Sequence, residues 1–312
     1  MEQAHTAAKA ERRAAIIALV IGISLLFVKF AAYYKTGSAA IFSDALESIV
    51  NVLAGAFALY SVILAHLPAD REHPYGHGKI EFLSAGFEGG MIFLAAIIIA
   101  ARACEKLVHG GEIQNIDNGL FLMTIAMIAN GVLSMYLIRT GRNSQSLTLE
   151  ADGKHLFTDA VTSAAVLVSL VAIKFTKQAW IDPLAAILVA IYIIWMAGGL
   201  LRKSAAGLMD EQDRADDAML RGILDSHLGP DGKPPLICSY HKLRHRHSGR
   251  YHWVDFHIMV PPHWDIERGH RLASTIEYEI ELALGEGNAT AHVEPCQDSQ
   301  CKSCEAQMSD AE

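Results

Sequence analysis

The chain has 312 residues and a formal charge of −8, with 52% apolar and 19% charged residues. That mix is too apolar for an average soluble enzyme, and the acidic balance excludes nucleic acid as a partner, because phosphate neutralisation needs a basic face. Five cysteines, odd in number and three of them in the last twenty residues, do not form a disulfide framework.

Hydrophobicity is concentrated before position 202. A hydrocarbon core of ~30 Å takes about 20 mostly apolar helical residues. Six segments meet or approach that length: Ala14–Tyr34, Ala39–His66, Ile80–Val108, Leu120–Ile138, Leu156–Phe175 and Trp180–Leu201. The first run is too long for a signal-peptide core and lacks a cleavage site, so it reads as the first span. Six spans place both termini on one side. Lys9, Arg12, Arg13, Arg71, Lys79, Arg139, Arg142, Arg202 and Lys203 fall on that side, against Lys35, Lys106, Lys174 and Lys177 on the other. The positive-inside rule makes the richer side cytoplasmic.

Several spans carry ionisable groups. A charge at bilayer depth costs at least ~2.5 kcal/mol, so such groups face the bundle interior and serve ions or protons. In the second span "FSDALESIVN" sets Asp44, Glu47 and Asn51 at i, i+3 and i+7, one helical face. At the start of the fifth, "LEADGKHLFTD" sets Asp152, His155 and Asp159 at the same offsets. Glu47 and Asn51 together with His155 and Asp159 compose a four-ligand N/O set, which suits tetrahedral Zn²⁺ and is also accepted by Fe²⁺, Mn²⁺ and Co²⁺. Asp44 and Asp152 read more readily as helix caps or interhelical hydrogen bonders. Glu81 and Glu88 in the third span read as pairing with neighbours rather than as proton relays. Between the second and third spans, Asp70, His73 and His77 form either a ligand triad or a solvated loop. Cys104 and Cys238 read as packing residues.

From Asp210 the sequence becomes soluble in character. Asp210–Gly229 is an acidic amphipathic helix, and Cys238–Arg246 and Tyr251–Val260 are strands joined by a hairpin turn in "HSGR". Asp265–Leu284 is a second helix, with Ile266, Leu272, Ile276 and Ile280 on its apolar face, and Thr290–Glu294 is a third strand. The order αββαβ implies a small two-layer α+β domain. His241 and His257 fall on adjacent strands, and the two-residue period puts His292 and Glu294 on one face of the third. His245, His247, His252 and His263 raise the local density, some of them as plain surface residues. The tail "CQDSQCKSC" spaces Cys296, Cys301 and Cys304 as Cys-x4-Cys-x2-Cys, either a soft-metal site or incidental thiols.

Together the motifs "GSAAIFSDALES" (37–48), "PADREHPYGHGK" (68–79), "ADGKHLFTDAVTS" (151–163), "HKLRHRHSG" and "AHVEP" resemble the cation diffusion facilitator family, and within it the bacterial zinc/proton antiporters. The resemblance runs from about Ala14 to Pro295. It implies a transporter rather than an enzyme: a homodimer in the inner membrane that exports Zn²⁺ against protons. It implies a transport site at Glu47, Asn51, His155 and Asp159, although Glu47 and Asn51 each stand where the family has aspartate. Asn51 offers a neutral carbonyl, so the site loses one negative charge, and Fe²⁺, Mn²⁺ or Co²⁺ becomes an alternative cargo. It further implies a loop metal position at Asp70, His73 and His77, and an ion pair of Lys79 with Asp210 joining the dimer's membrane and soluble parts. The soluble part would be a ferredoxin-like dimerisation domain holding regulatory metal at His241, His257, His270, His292 and Glu294.

The expected organisation is therefore a cytoplasmic segment (1–13), six transmembrane helices (14–209), a cytoplasmic α+β domain (210–295) and a cysteine tail (296–312). Two readings from other classes compete. A membrane metallohydrolase would hold catalytic zinc, but the chain has no His-Glu-x-x-His motif. A sensor without flux would need only the soluble domain.

Overall fold

The computed structural model describes residues 2–36, 39–109, 120–176, 178, 180–229, 236–298, 301 and 304, and divides after Leu208 into two compact units. The first unit holds six long helices: α1 (Glu2–Thr36), α2 (Ala39–Ala65), α3 (Ile80–His109), α4 (Leu120–Ser144), α5 (Leu147–Thr176) and α6 (Ile181–Leu208). Among the described residues, four stretches are long and apolar enough to cross a membrane: Ala8–Ala31, Ser48–Ala65, Ile80–Val108 and Pro183–Leu208. These mark a multi-pass membrane protein.

Two helix starts in the first unit lie nine or more residues ahead of the sequence expectation. Residues 2–13 are helical and continuous with the first span, so α1 runs about 50 Å at 1.5 Å per residue, well past the hydrocarbon core. The fifth helix begins at Leu147, nine residues before the expected Leu156. The apolar run alone locates the part of a helix that sits in lipid, not the polar turns that continue it.

The bundle is arranged for lipid. Large apolar side chains such as Phe27, Leu53, Leu94, Val132, Val168 and Trp195 are exposed, while Ser61, Ser84, Glu88, Ser134 and Thr148 are fully buried. Where the solvent is as apolar as leucine, helices associate through close packing and polar contacts instead. Gly153 on α5 shows the packing: a Cβ there would lie 2.7 Å from Ile138 Cγ1 and 2.9 Å from the Ile138 nitrogen of α4. Gly207 on α6 likewise leaves no room between it and the Phe82 ring of α3. One buried cluster joins α1, α2, α4 and α5 through Ala14, Ala18, Val62, Leu137 and Leu149. Another joins α3 and α6 to α5 through Ala85, Ile92, Ala151, Ile193 and Leu200. Helix α5 thus belongs to both.

The second unit follows the expected αββαβ order: α7 (Arg214–Ser226), β1 (Ser239–Ser248), β2 (Tyr251–Val260), α8 (Ile266–Leu284) and β3 (Gly287–Pro295). The sheet order is β1-β2-β3, with β1 antiparallel and β3 parallel to β2. Both helices pack on one face, where Leu220, Leu224, Phe256, Ile258, Ile276 and Ile280 form a core. Asp213 caps α7 by accepting the Ala215 and Asp216 backbone N–H groups at 2.7 and 3.2 Å. Gly249, at φ 63, turns the hairpin. Ile266, expected on the apolar face of α8, is 92% exposed; it is the first residue after the Asp265 cap, and the buried stripe begins only at Gly269.

Strand β1 contains an irregularity. His241 pairs with His257, but Arg244 pairs with Asp255, so one extra residue is inserted between them, and Lys242 adopts a left-handed φ of 52. A bulge of this kind reverses which face the following residues point to.

Candidate metal centres

Inside the helix bundle, three of the four expected transport ligands come together. His155 Nε2 on α5 donates to Asn51 Oδ1 on α2 at 3.1 Å. Asn51 Nδ2 donates to Asp159 Oδ2 at 3.1 Å, closing a His–Asn–Asp chain across two helices. Glu47 lies one turn before Asn51 on α2; its side chain, like that of Asp44, is outside the described residues. Asp152 is 5% exposed and sits within electrostatic range of Glu88, His155 and Asp159. It is the sixth residue of α5, too far in to cap it, so the capping reading fails and Asp152 belongs to the polar cluster. A cavity of about 30 Å³ next to it is lined by Asn51, Asn130 and Asp152.

Glu81 and Glu88 of α3 divide. Glu81 accepts Ser146 Oγ at 2.7 Å and the Thr148 backbone N–H at 3.4 Å, holding the first turn of α5 as a pairing residue should. Glu88 is fully buried, and its oxygens have no hydrogen-bond partner among the described residues. Its nearest charge partner is His155 Nδ1 at 3.8 Å. It therefore stands on the opposite side of His155 from Asn51, contributed by the α3–α6 pair. Seven-residue spacing from Glu81 did not distinguish the two roles; only packing does.

In the α2–α3 connection, Asp70, His73 and His77 offer ligand atoms within 4.8 Å of one another. Asp70 accepts the His73 backbone N–H at 2.6 Å, which holds its carboxyl below the usual carboxylate range. His77 Nε2 lies 3.4 Å from Asp70 Oδ2, and the His73 and His77 rings lie 4.5 Å apart, tilted by 45°. Lys79 follows at the entrance to α3. Asp210, in the second unit, faces Arg246 at 3.7 Å.

On the soluble unit, the pairing His241–His257–His292 sets three imidazoles in one cross-strand row on the face away from the helices. Glu294 joins them: His257 Nδ1 donates to its Oε1 at 2.8 Å, with His241 Nε2 at 3.3 Å and His292 Nε2 at 3.7 Å. The His257 hydrogen bond, with the nearby imidazoles, pulls the Glu294 carboxyl below its ordinary value. The structure does not bring His270 to this row. It is exposed on α8, the layer covering the other face.

The bulge at Lys242 turns His245 and His247 of β1 to that other face and builds a second histidine group, which sequence periodicity missed. His247 Nε2 and His252 Nδ1 approach Asp216 Oδ2 of α7 at 3.1 and 3.3 Å. His245 is 4% exposed, and neither ring nitrogen has a hydrogen-bond partner among the described residues. Burial pushes the His245 and His252 imidazoles below their ordinary values and favours the neutral, ligating form. Asp216, His245 and His247 meet the distance requirement for a shared cation. His263 is exposed and joins neither group.

The cysteines also depart from the expectation. Cys104 is exposed on α3 instead of packed, and Cys238 gathers with Cys296, Cys301 and Cys304.

A helical membrane unit with a buried imidazole–amide–carboxylate chain, followed by an α+β unit rich in ligand clusters, defines a metal-handling membrane protein. Residues 15–209 match the cation efflux transmembrane domain, and residues 235–296 match the cation efflux protein cytoplasmic domain. The chain belongs to the cation efflux family, which consists of transporters, not enzymes. It is 35% identical over 291 residues to an uncharacterized transporter of Synechocystis sp., covering 93% of this chain and 92% of that protein. It is 26% identical over 275 residues to the cation-efflux pump FieF of Shewanella oneidensis, covering 88% and 90%. To FieF of Salmonella arizonae it is 28% identical over 287 residues, covering 91% and 92%.

Proposed function

We propose that this chain exports a divalent metal ion, Zn²⁺ first, in exchange for protons. In this reading it is a six-span homodimer of the bacterial inner membrane with both termini in the cytoplasm. The observation that carries the proposal is the His155–Asn51–Asp159 chain, set between α2 and α5 and flanked by Glu88. Protonation of the His155 imidazole or of the Asp159 carboxylate would take up a lone pair that a cation would use. Protons and metal therefore compete for the same atoms. A proton gradient directed into the cytoplasm would reload the site from outside after metal leaves. Alternating access would follow from α5 sharing its contacts between the α1–α2–α4 cluster and the α3–α6 pair, whose relative shift opens the site to one side or the other.

Metal at His241, His257, His292 and Glu294 would stabilise one arrangement of the dimer by mass action and so regulate flux. His270, on the opposite layer, would reach such an ion only from a second protomer. The loop triad of Asp70, His73 and His77 would take up the cation before it enters the bundle. A second cargo reading rests on Asn51. Its neutral oxygen makes the site less anionic and harder, which favours Fe²⁺, Mn²⁺ or Co²⁺ over Zn²⁺.

The test is metal uptake into proteoliposomes under an imposed pH gradient, across a panel of divalent ions, beside Asp159→Ala. Gradient-dependent zinc uptake that vanishes in the variant supports the proposal in full. Preference for iron, manganese or cobalt keeps the mechanism and replaces the cargo. Tight binding without flux for every ion overturns the exporter reading and leaves a sensor.

A further inference from the structure

Four sulfurs converge at one edge of the soluble unit. Cys238, Cys296, Cys301 and Cys304 present Sγ atoms that all lie within 4.8 Å of one another, with Cys238 and Cys304 at 3.2 Å. A tetrahedral thiolate site with metal–sulfur bonds of about 2.3 Å has sulfur–sulfur edges of about 3.8 Å, so the group needs only small adjustments to close on an ion.

Half of the group is built into the sheet. The Cys238 backbone N–H donates to the Met259 carbonyl at 2.8 Å, and the Cys296 N–H donates to the neighbouring Val260 carbonyl at 2.7 Å. The two cysteines thus flank the last residues of β2 from its β1 and β3 sides. The other half is the pair Cys301 and Cys304, in which the Cys304 backbone N–H is directed at the Cys301 sulfur. Such N–H···S support is the outer shell that orients thiolate ligands in metal sites.

We propose that these four cysteines form a structural site for a thiophilic, tetrahedral divalent cation of the zinc and cadmium class. Binding displaces the thiol protons and leaves a metal tetrathiolate, with no change in oxidation state. The site fastens the chain after β3 onto the start of β1, across the end of β2. It is distinct from the histidine row in ligand chemistry, being all sulfur where that row is imidazole and carboxylate. It does not depend on whether the chain transports metal.

The probe is Co²⁺ titrated into the reduced, chelator-stripped full-length chain in detergent. Sulfur-to-cobalt charge transfer in the near ultraviolet reports thiolate ligation alone, since imidazole and carboxylate sites bind cobalt without it. The expected result is charge-transfer absorption that saturates at one thiolate-bound ion per chain and is displaced by Zn²⁺. Losing a ligand costs more than losing its hydrogen-bonded support, which is worth about 10–100-fold in affinity. Cys238→Ser and Cys301→Ser should therefore each weaken cobalt binding by at least that factor, while Cys104→Ser leaves it unchanged. Cys301 lies beyond the sheet, so its variant keeps the test valid if Cys238→Ser fails to fold. Absence of the sulfur band, a band indifferent to Cys301→Ser, or an intact mass showing disulfides under the same reducing conditions would each overturn the proposal.

Discussion

The imidazole of His155 on α5 and the amide of Asn51 on α2 meet at 3.1 Å, so that one neutral side chain joins two helices where the family has a second carboxylate. The amide's other end is committed to Asp159. Asn51 is therefore both a ligand candidate and the spacer that holds His155 and Asp159 apart.

Replacing that amide with an acid should change selectivity before it changes turnover. Asn51→Asp adds a negative charge and removes the donor to Asp159. An extra 1.4 kcal/mol of attraction is about tenfold in affinity. The expected outcome is a shift of about tenfold towards Zn²⁺ in competition uptake against Fe²⁺ or Mn²⁺, with the pH dependence of uptake moved because one more carboxylate competes for protons. An unaltered metal ratio would mean that Asn51 does not touch the ion.

Glu88 supplies the negative charge on the other side of His155, 3.8 Å from Nδ1 and fully buried. Glu88→Gln preserves shape and removes charge. Loss of such outer-shell support typically lowers metal affinity or activity 10–100-fold, so uptake should fall within about that range while the protein purifies and melts as before. A structural role alone would show as lower melting temperature with unchanged uptake per folded chain.

The bulge at Lys242 decides which histidines share a face. Deleting Lys242 restores a regular ladder and takes His241 out of the row with His257 and His292. One fewer zinc ion per chain should then remain bound after dialysis, read by elemental analysis. Lys242→Gly keeps the bulge and relieves the left-handed backbone at φ 52, so zinc content should hold and stability rise by up to about 1 kcal/mol.

The Asp213 cap gives a pH-dependent stability test. Backbone N–H groups of Ala215 and then Asp216 pull its carboxyl below the ordinary value of 3.8. A depressed folded value means the contribution is fully present above the unfolded value and is lost as pH falls through the folded one. Asp213→Ala should cost about 1 kcal/mol at neutral pH. The difference from wild type should shrink as pH falls below 3.8 and vanish only below the depressed folded value, as followed by thermal unfolding of the soluble unit through Trp253 and Trp264.

Much of the architecture is legible in residue order. Apolar runs separated by polar turns locate six long helices because lipid leaves backbone groups no partner outside the helix. The same logic marks Asn51, His155 and Asp159, since polar side chains at helical spacing inside such runs have to face inward. The soluble elements follow from period and turn chemistry, and the strand Tyr251–Val260 and the helix ending at Leu284 appear where the pattern puts them. The helix ends are less legible: hydropathy does not register the polar first turns of α1 and α5, and for that reason Asp152 reads from sequence as a helix cap or an interhelical hydrogen bonder.

Composition and periodicity therefore settle the class of protein, the long apolar helices and the polar stripes shared by α2 and α5, because each depends on local spacing and on the cost of burying charge. Long-range placement settles the rest. Glu81 and Glu88 are equivalent by spacing, yet one holds the start of α5 and the other lies against His155, because α3 contacts different parts of α5 along its length. A two-residue period would put His241, His245 and His247 on one face; a single extra residue in β1 divides them between opposite faces of the sheet. Cys238 joins three cysteines about 60 residues downstream because β1 and β3 both border the same strand, a neighbourhood that exists only once the sheet has formed.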